Sequence, residues 1–192
     1  MSNVSLSKLG SDYGRHFVDL DMINCDSIVY SLGIGEDITF DEELINIKGC
    51  NIFAYDPTPK AINHIKDKNN PFIKFKDIGV SDFDGVSSFD PPPKPEYASY
   101  KESENGSFFF QVQKLKTIME NNSHNRIDLL KMDIEGSEYK VMLDIIKDEI
   151  FPAQIAGEFH GQKCADWLLE NRIDKYYKII SITPNDFFMI KI

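Results

Sequence analysis

Acidic side chains recur in this chain where apolar runs end. Leu129-Leu130-Lys131-Met132 runs into Asp133, Glu135 and Glu138 around Gly136, and Ser27–Leu32 into Gly33-Ile34-Gly35-Glu36-Asp37. Asn51–Tyr55 is followed by Asp56-Pro57, Ile73–Phe75 by Asp77-Ile78, and Gln154–Phe159 carries Glu158 and leads to His160. A carboxylate inside a core is costly, so these residues are expected at a cleft. Gly33-Ile34-Gly35 would let backbone approach a ligand closely, with a helix N-terminus behind it. Asp56 stands twenty-three residues beyond Gly33, about where an acid binds a ribose diol in dinucleotide sites. Taken singly, the glycines could be a tight turn and Asp56 a cap before Pro57. Ile38 occupies the third-glycine position, and Glu36 and Asp37 would repel a pyrophosphate. A nucleoside bearing a cationic group fits better.

His160 is the preferred general base, because imidazole titrates near neutrality. The bland alternative is a loop histidine bonded to backbone. Asp133, Glu135 and Glu158 join it as candidate reaction residues. The four could also hold a divalent metal. Their spacing matches no familiar metal motif, so no metal ligand is assigned. His16, His64 and His124 have less support. Lys131 reads as a partner for a nearby acid or a substrate contact, and Tyr13 and Gly14 as part of a lid.

The elements that must position these residues alternate. Strands are expected over 27–32, 51–55, 73–76 and 154–159, and helices over the segments between. The helix after the first strand would hold Asp41, Glu42 and Glu43 in its first turn, where the dipole favours acids. Thr58 caps the next, with Pro59 at its first position. Tyr139, Met142, Leu143, Ile146 and Ile150 make a helical stripe after Gly136. This order builds a parallel sheet with right-handed crossovers. The C-terminal run YYKIISITPNDFFMIKI reads as a hairpin, so the last strand runs antiparallel. Segment 87–106 contains PPPKP and reads as a flexible surface insertion. Segment 107–112 is expected to pair with 86–89 in a small β appendage. Gln162–Ile173 is read as a further helix.

At 192 residues the chain suits one domain, residues 1–192, with a lid-like N-terminal segment over 1–26. The formal net charge of −10 disfavours nucleic-acid or anionic-membrane partners. Three scattered cysteines, no signal-peptide core and no apolar run near the roughly 20 residues of a membrane helix point to the cytoplasm.

Lys-Met-Asp-Ile-Glu-Gly-Ser-Glu, within IDLLKMDIEGSEYKVM, resembles the fourth-strand motif of FkbM-type methyltransferases, a family of class I S-adenosylmethionine-dependent O-methyltransferases. VYSLGIGEDITFD, IFAYDPTP, GVSDFDG and the EFH at 158–160 extend the likeness from about Gly10 to His160. The first loop departs from the Asp-x-Gly-x-Asn-x-Gly of many members: Ser31, Gly35 and Asp37 stand at the acid, the asparagine and the last glycine. The resemblance implies a Rossmann-like α/β fold with a seven-stranded, mostly parallel sheet, an antiparallel last strand and helices on both faces. It implies S-adenosyl-L-methionine as cofactor, S-adenosylhomocysteine as product, and a small-molecule or glycan hydroxyl as acceptor. Gly33, Ile34 and Gly35 would line the methionine portion, and Glu36 or Asp37 would meet its amino group. Asp56, next to Pro57, would bind the ribose, Asp77 and Ile78 would border adenine, and Asp133 would lie near the methionine end. An NAD(P)-binding oxidoreductase is the alternative that the alternating order and Asp56 allow. A non-catalytic S-adenosylmethionine-binding module is another.

Overall fold

The structure is a computed structural model that describes residues 5–94, 96–160, 164–183 and 185–192. An N-terminal hairpin comes first, β1 (Leu6–Leu9) with β2 (His16–Asp19). The chain then alternates through β3 (Ile28–Leu32), α1 (Thr39–Lys48), β4 (Asn51–Tyr55), α2 (Pro59–Lys68) and β5 (Ile73–Lys76). Four short strands follow: β6 (Gly79–Val80), β7 (Gly85–Asp90), β8 (Lys101–Glu102) and β9 (Phe108–Gln113). The second half holds α3 (Leu115–Asn121), β10 (Leu129–Met132), α4 (Glu138–Lys147), β11 (Gln154–Glu158), α5 (Cys164–Glu170), β12 (Tyr177–Ile182) and β13 (Asp186–Lys191).

The central sheet has seven strands in the order β12-β13-β11-β10-β3-β4-β5. Only β13 opposes its neighbours, pairing antiparallel with both β11 and β12. The chain moves outward from β3 to β5 on one side and restarts beside β3 with β10, so the crossover direction reverses between these two strands. Such a switch point opens a crevice at the carboxyl ends of the strands. Register decides what enters it. Leu32 is level with Tyr55 and Met132, and Met132 with Gly157. The next residues, Gly33, Asp56, Asp133 and Glu158, therefore emerge side by side.

Alternation along β10 sorts its side chains. Leu130 and Met132 face one core, with Val141, Met142 and Ile145 of α4 and Trp167 and Leu168 of α5. Leu129 joins the other, with Phe40, Leu44 and Ile45 of α1 and Ala61 of α2. Lys131 shares that second face with Ser31, its register partner on β3.

Local chemistry sets the helix ends as expected at α2, where the Thr58 hydroxyl accepts from Ala61 N and Pro59 stands in the first turn. At α1 the outcome differs in part. Asp41 lies in the first turn but is 1% exposed, against the core rather than in solvent.

The appendage is larger than a ribbon. β7 and β9 pair antiparallel from Gly85↔Val112 to Phe89↔Phe108, as expected, and β6 and β8 extend them to four strands. The expected surface insertion over 87–106 is thus partly sheet; among its described residues, 91–94, 96–100 and 103–106 lie outside the strands. The N-terminal segment is also strand rather than loop alone. Asp19 N donates to the Gln154 side chain, whose amide donates back to Asp19 O, fixing β2 beside β11. The helix expected over 162–173 is seen as α5. Gln162, Lys163 and Pro184 of the expected hairpin turn lie outside the described residues.

Candidate functional site

The crevice holds a cavity of about 540 Å³ whose walls include Tyr13, Gly14, His16, Gly33, Gly35, Asp37, Lys131 and Asp133. That is within the usual range for a small-molecule site. A smaller adjoining compartment is bordered by Asp56, Pro57, Val80, Phe89, Tyr100 and Asp133. Ala98 borders both, so the 91–100 stretch closes one side of the crevice. Glu102 fastens that side to α4 by accepting from the Ser87 and Ser137 hydroxyls and pairing with Lys140.

The glycine loop is held from below. Gly33 has φ 73°, and a Cβ there would collide with the Asp133 carbonyl, so only glycine lets β3 and β10 meet so closely. Asp56 Oδ2 accepts from Ile34 N at 3.1 Å and Gly35 N at 2.9 Å. Its Oδ1 accepts from Thr58 N at 2.8 Å and Thr58 Oγ1 at 2.7 Å. A carboxylate has about four acceptor positions, and chain donors meet all four. Asp56 therefore fastens the glycine loop to the start of α2 as well as lining the cavity. Asp37 does similar work one turn later. It accepts from Thr39 N and Oγ1 and from Ser11 Oγ, which ties the hairpin turn to α1. Burial alone would raise its pKa, but these hydrogen bonds hold it below the ordinary value. Glu36 is half-exposed and pairs outward with Lys60 at 3.3 Å.

The second cluster is built differently. Glu135 at φ 56° and Gly136 at φ 108° turn the chain sharply after β10. A left-handed conformation in a residue other than glycine carries strain and marks a place worth a functional question. This turn aims Ile134 N and Gly136 N at Glu138, whose oxygens accept both at 2.8 Å. Glu138 is fully buried and also bonds His160 Nδ1 at 3.1 Å. The far nitrogen of His160, Nε2, faces Glu135 Oε2 at 3.6 Å and Asp133 Oδ1 and Glu158 Oε1 at 3.9 Å each. Burial alone would lower the His160 pKa. The Glu138 hydrogen bond and charge, with Glu135 and Asp133, outweigh this and raise it to about 9. Burial raises the Asp133 pKa to about 6, against the pull of Lys131 and His160. These shifts favour the imidazolium form of His160 at neutral pH and bring the titration of Asp133 nearer to neutrality than that of an ordinary carboxylate. One ligand atom from each of Asp133, Glu158 and His160 lies within 4.8 Å of the others, close enough to share a metal ion.

The structure brings Gly33, Ile34, Gly35, Glu36, Asp37, Asp56, Asp133 and Glu135 onto one cavity. Pro57 borders the smaller compartment. Asp77 and Ile78 border neither. Asp77 is exposed and Ile78 packs against the core, while Gly79 and Val80 line the smaller compartment. His64 sits on α2 and His124 bonds the Tyr30 hydroxyl, both off the site. Glu138, expected at a cleft with the neighbouring acids, is instead fully buried, where two backbone N–H groups and His160 satisfy its carboxylate.

Three strands to one side of a switch point, four to the other, and the last inserted antiparallel next to the fifth define the class I methyltransferase fold. Over 90% of this chain and 84% of the other, the structure superposes on precorrin-6y C5,15-methyltransferase from Geobacter metallireducens with a TM-score of 0.51 at 11% identity. It superposes on the fibrillarin pre-rRNA processing protein of Methanococcus jannaschii with a TM-score of 0.51 at 11% identity, covering 99% of this chain and 84% of the other. At such identity the likeness is one of fold. The chain belongs to the Methyltransferase FkbM domain family, whose profile matches residues 19–179. It is 29% identical over 134 residues to the probable methyltransferase-like protein 24 of Homo sapiens and 28% identical to that of Rattus norvegicus. The aligned region is 69% of this chain and 32% of each relative, so the chain spans about a third of their length. Among the described residues no helix is long and apolar enough to cross a membrane.

Proposed function

We propose that this domain binds S-adenosyl-L-methionine in the crevice and transfers its methyl group to a hydroxyl oxygen of a small-molecule or glycan acceptor, such as a sugar, glycolipid or secondary metabolite. The observation that carries this reading is the convergence of the glycine loop, Asp56, Asp133 and Glu135 on one cavity, with His160 behind the two acids. When bound, the cofactor supplies an activated methyl on a sulfonium; the acceptor oxygen forms the new C–O bond as the C–S bond breaks and its electron pair stays on sulfur. The chain's residues position and exchange the proton. Gly33 and Gly35 give close backbone approach along the amino-acid arm. Asp56 holds the glycine loop and the start of α2 in place on the ribose side of the cavity. Pro57, Val80, Phe89 and Tyr100 offer an apolar slot that suits a purine, so the appendage completes the cofactor site. Asp133 accepts the acceptor's proton, and the imidazolium of His160 stabilises the carboxylates around it. Holding two reactants in line accounts for most of the expected rate gain.

The test is calorimetric titration with S-adenosylhomocysteine and with NAD, paired with transfer from labelled S-adenosylmethionine to hydroxylated acceptors. Binding of S-adenosylhomocysteine alone supports the reading. Binding of NAD alone would move the protein to the oxidoreductases. Cofactor binding with no transfer to any acceptor would make it a non-catalytic module.

One observation favours a metal-assisted variant of the same reaction. His160 Nδ1 is taken by buried Glu138, which leaves Nε2 facing Asp133 and Glu158, and such an outer carboxylate commonly orients a metal-ligating histidine. A hard divalent cation such as magnesium or manganese suits two carboxylates better than a soft one. Loss of transfer on adding chelator, restored by either ion, would support this variant; transfer indifferent to chelator would remove it.

A further inference from the structure

We propose that Lys131, with the ring of His16 beside it, takes the carboxylate of the cofactor's amino-acid arm. This rests on the S-adenosylmethionine reading above and adds the recognition of one named group. Seven charged residues border the large cavity: Glu36, Asp37, Asp56, Glu96, Asp133, Glu135 and Lys131. Lys131 is the one cation among the described residues of that wall. The arm is a zwitterion. Its ammonium finds an acid almost anywhere in this cavity, but its carboxylate is attracted to one place.

That place is already built. Lys131 is 4% exposed, in register with Ser31 on the face of the sheet that packs against α1. Its Nζ donates to Gly33 O, which sets the ammonium directly beneath the first glycine of the loop. Among the described residues no carboxylate lies within 4 Å of it. A buried ammonium that holds one carbonyl, with Asp37, Asp41 and Asp133 acting on it only from beyond ion-pair distance, keeps donor capacity for an anion in the cavity. Its cross-strand neighbour offers a hydroxyl rather than an acid, and that Ser31 hydroxyl lies toward Asp41. Asp41 is near, but burial outweighs the pull of Lys131 and Ser31 and pushes its pKa up, so it is a weak counter-charge.

His16 supplies the second observation. It lines the same cavity, is 5% exposed, and its Nε2 has no partner among the described residues. Burial and the nearby Lys131 lower its pKa to about 3, so the ring is neutral and adds no competing positive charge of its own. A neutral imidazole retains one N–H to donate.

Calorimetry on the full chain tests this with three ligands: S-adenosylmethionine, decarboxylated S-adenosylmethionine and 5′-methylthioadenosine. The intact chain should prefer the carboxylated ligand by roughly 10- to 100-fold, the range for one or two charge-assisted hydrogen bonds. Lys131→Met should erase most of that preference while leaving 5′-methylthioadenosine affinity within about twofold, since that ligand lacks the arm. Equal affinity of the intact chain for the first two ligands would overturn the proposal, as would a Lys131→Met protein that keeps the full preference. If Lys131→Met does not fold, His16→Gln decides, with a narrowed preference supporting the proposal and an unchanged one sinking it. Binding without discrimination leaves the methyltransferase reading in place, whereas no binding of any of the three overturns both.

Discussion

Asp56 and Asp133 are the same residue type, emerge level with each other from neighbouring parts of one sheet, and border the same two compartments. Their surroundings are opposite. Four chain donors meet the Asp56 carboxylate. The Asp133 carboxylate faces His160 Nε2 at 3.9 Å, among two further acids, and its pKa rises to about 6. A carboxylate surrounded by donors is a structural fastening that can also touch a ligand. One left short of donors in a half-buried cleft is free to exchange a proton or ligate a cation. Placement at a strand's end does not separate the two roles; the direction of nearby N–H groups does.

Replacing Asp133 by asparagine should break the comparison most strongly. Transfer should fall by roughly 10²-fold or more, the range for a lost positioned acid or base. The melting temperature should change little or rise, because a desolvated charge is removed. A large drop in melting temperature with full activity in the folded fraction would make Asp133 structural. Glu135→Gln should act in the same direction more weakly, since Glu135 is not the proton acceptor.

Glu138→Ala should show the reverse pattern. It strips two backbone N–H groups and His160 of their shared acceptor, and leaving buried donors unpaired costs about 1–3 kcal/mol each. Urea denaturation should therefore show a loss of roughly 3 kcal/mol or more in total. An unchanged midpoint would mean that the turn after β10 holds without its buried acid.

Asp56→Ala should combine the two patterns. It removes the acceptor of four hydrogen bonds in a largely buried place, so stability should drop by roughly 4 kcal/mol or more, and S-adenosylhomocysteine affinity of the folded fraction should fall at least tenfold. Unchanged affinity, measured by calorimetry on the folded fraction, would confine Asp56 to its fastening role.

The smallest effect is one of pH. Unfolded, His160 titrates near 6.5 and Asp133 near 3.8; folded, they titrate near 9 and 6. Both folded values are raised, so the folded state binds protons more tightly. The stability from His160 is full below about pH 6.5 and lost as pH rises through 9, and that from Asp133 is full below 3.8 and lost through 6. Thermal melts should therefore decline between pH 6.5 and 9.5, and His160→Gln should flatten that decline. A melting temperature level across this window in the parent protein would contradict the proton assignment. Transfer itself should rise as pH passes 6, where Asp133 loses its proton.

Several of these features could be read from residue order. Strand β4 over 51–55, the Thr58–Pro59 helix start and the β7–β9 pairing follow from alternation, caps and turn residues, which act over a few positions. The strand-end positions of Gly33, Asp56, Asp133 and Glu158 followed from the same local rules plus the known behaviour of parallel sheets. Asp77 and Ile78 line neither compartment, and a strand end read from pattern is uncertain by a few residues. Here the compartment wall falls two residues later, at Gly79 and Val80.

What sequence alone determined, then, was which residues reach the crevice. Tertiary structure decided their state. His160 is clamped by an acid 22 residues away, and Lys131 is bound to a carbonyl 98 residues away. The burial of Asp41, and the shifts that raise both His160 and Asp133 above their ordinary values, sum contributions from many neighbours at once. Hydrogen-bond direction and desolvation are properties of assembled surroundings. A one-dimensional pattern fixes a side chain's face, but it does not specify the donors and charges that other strands and helices bring beside it.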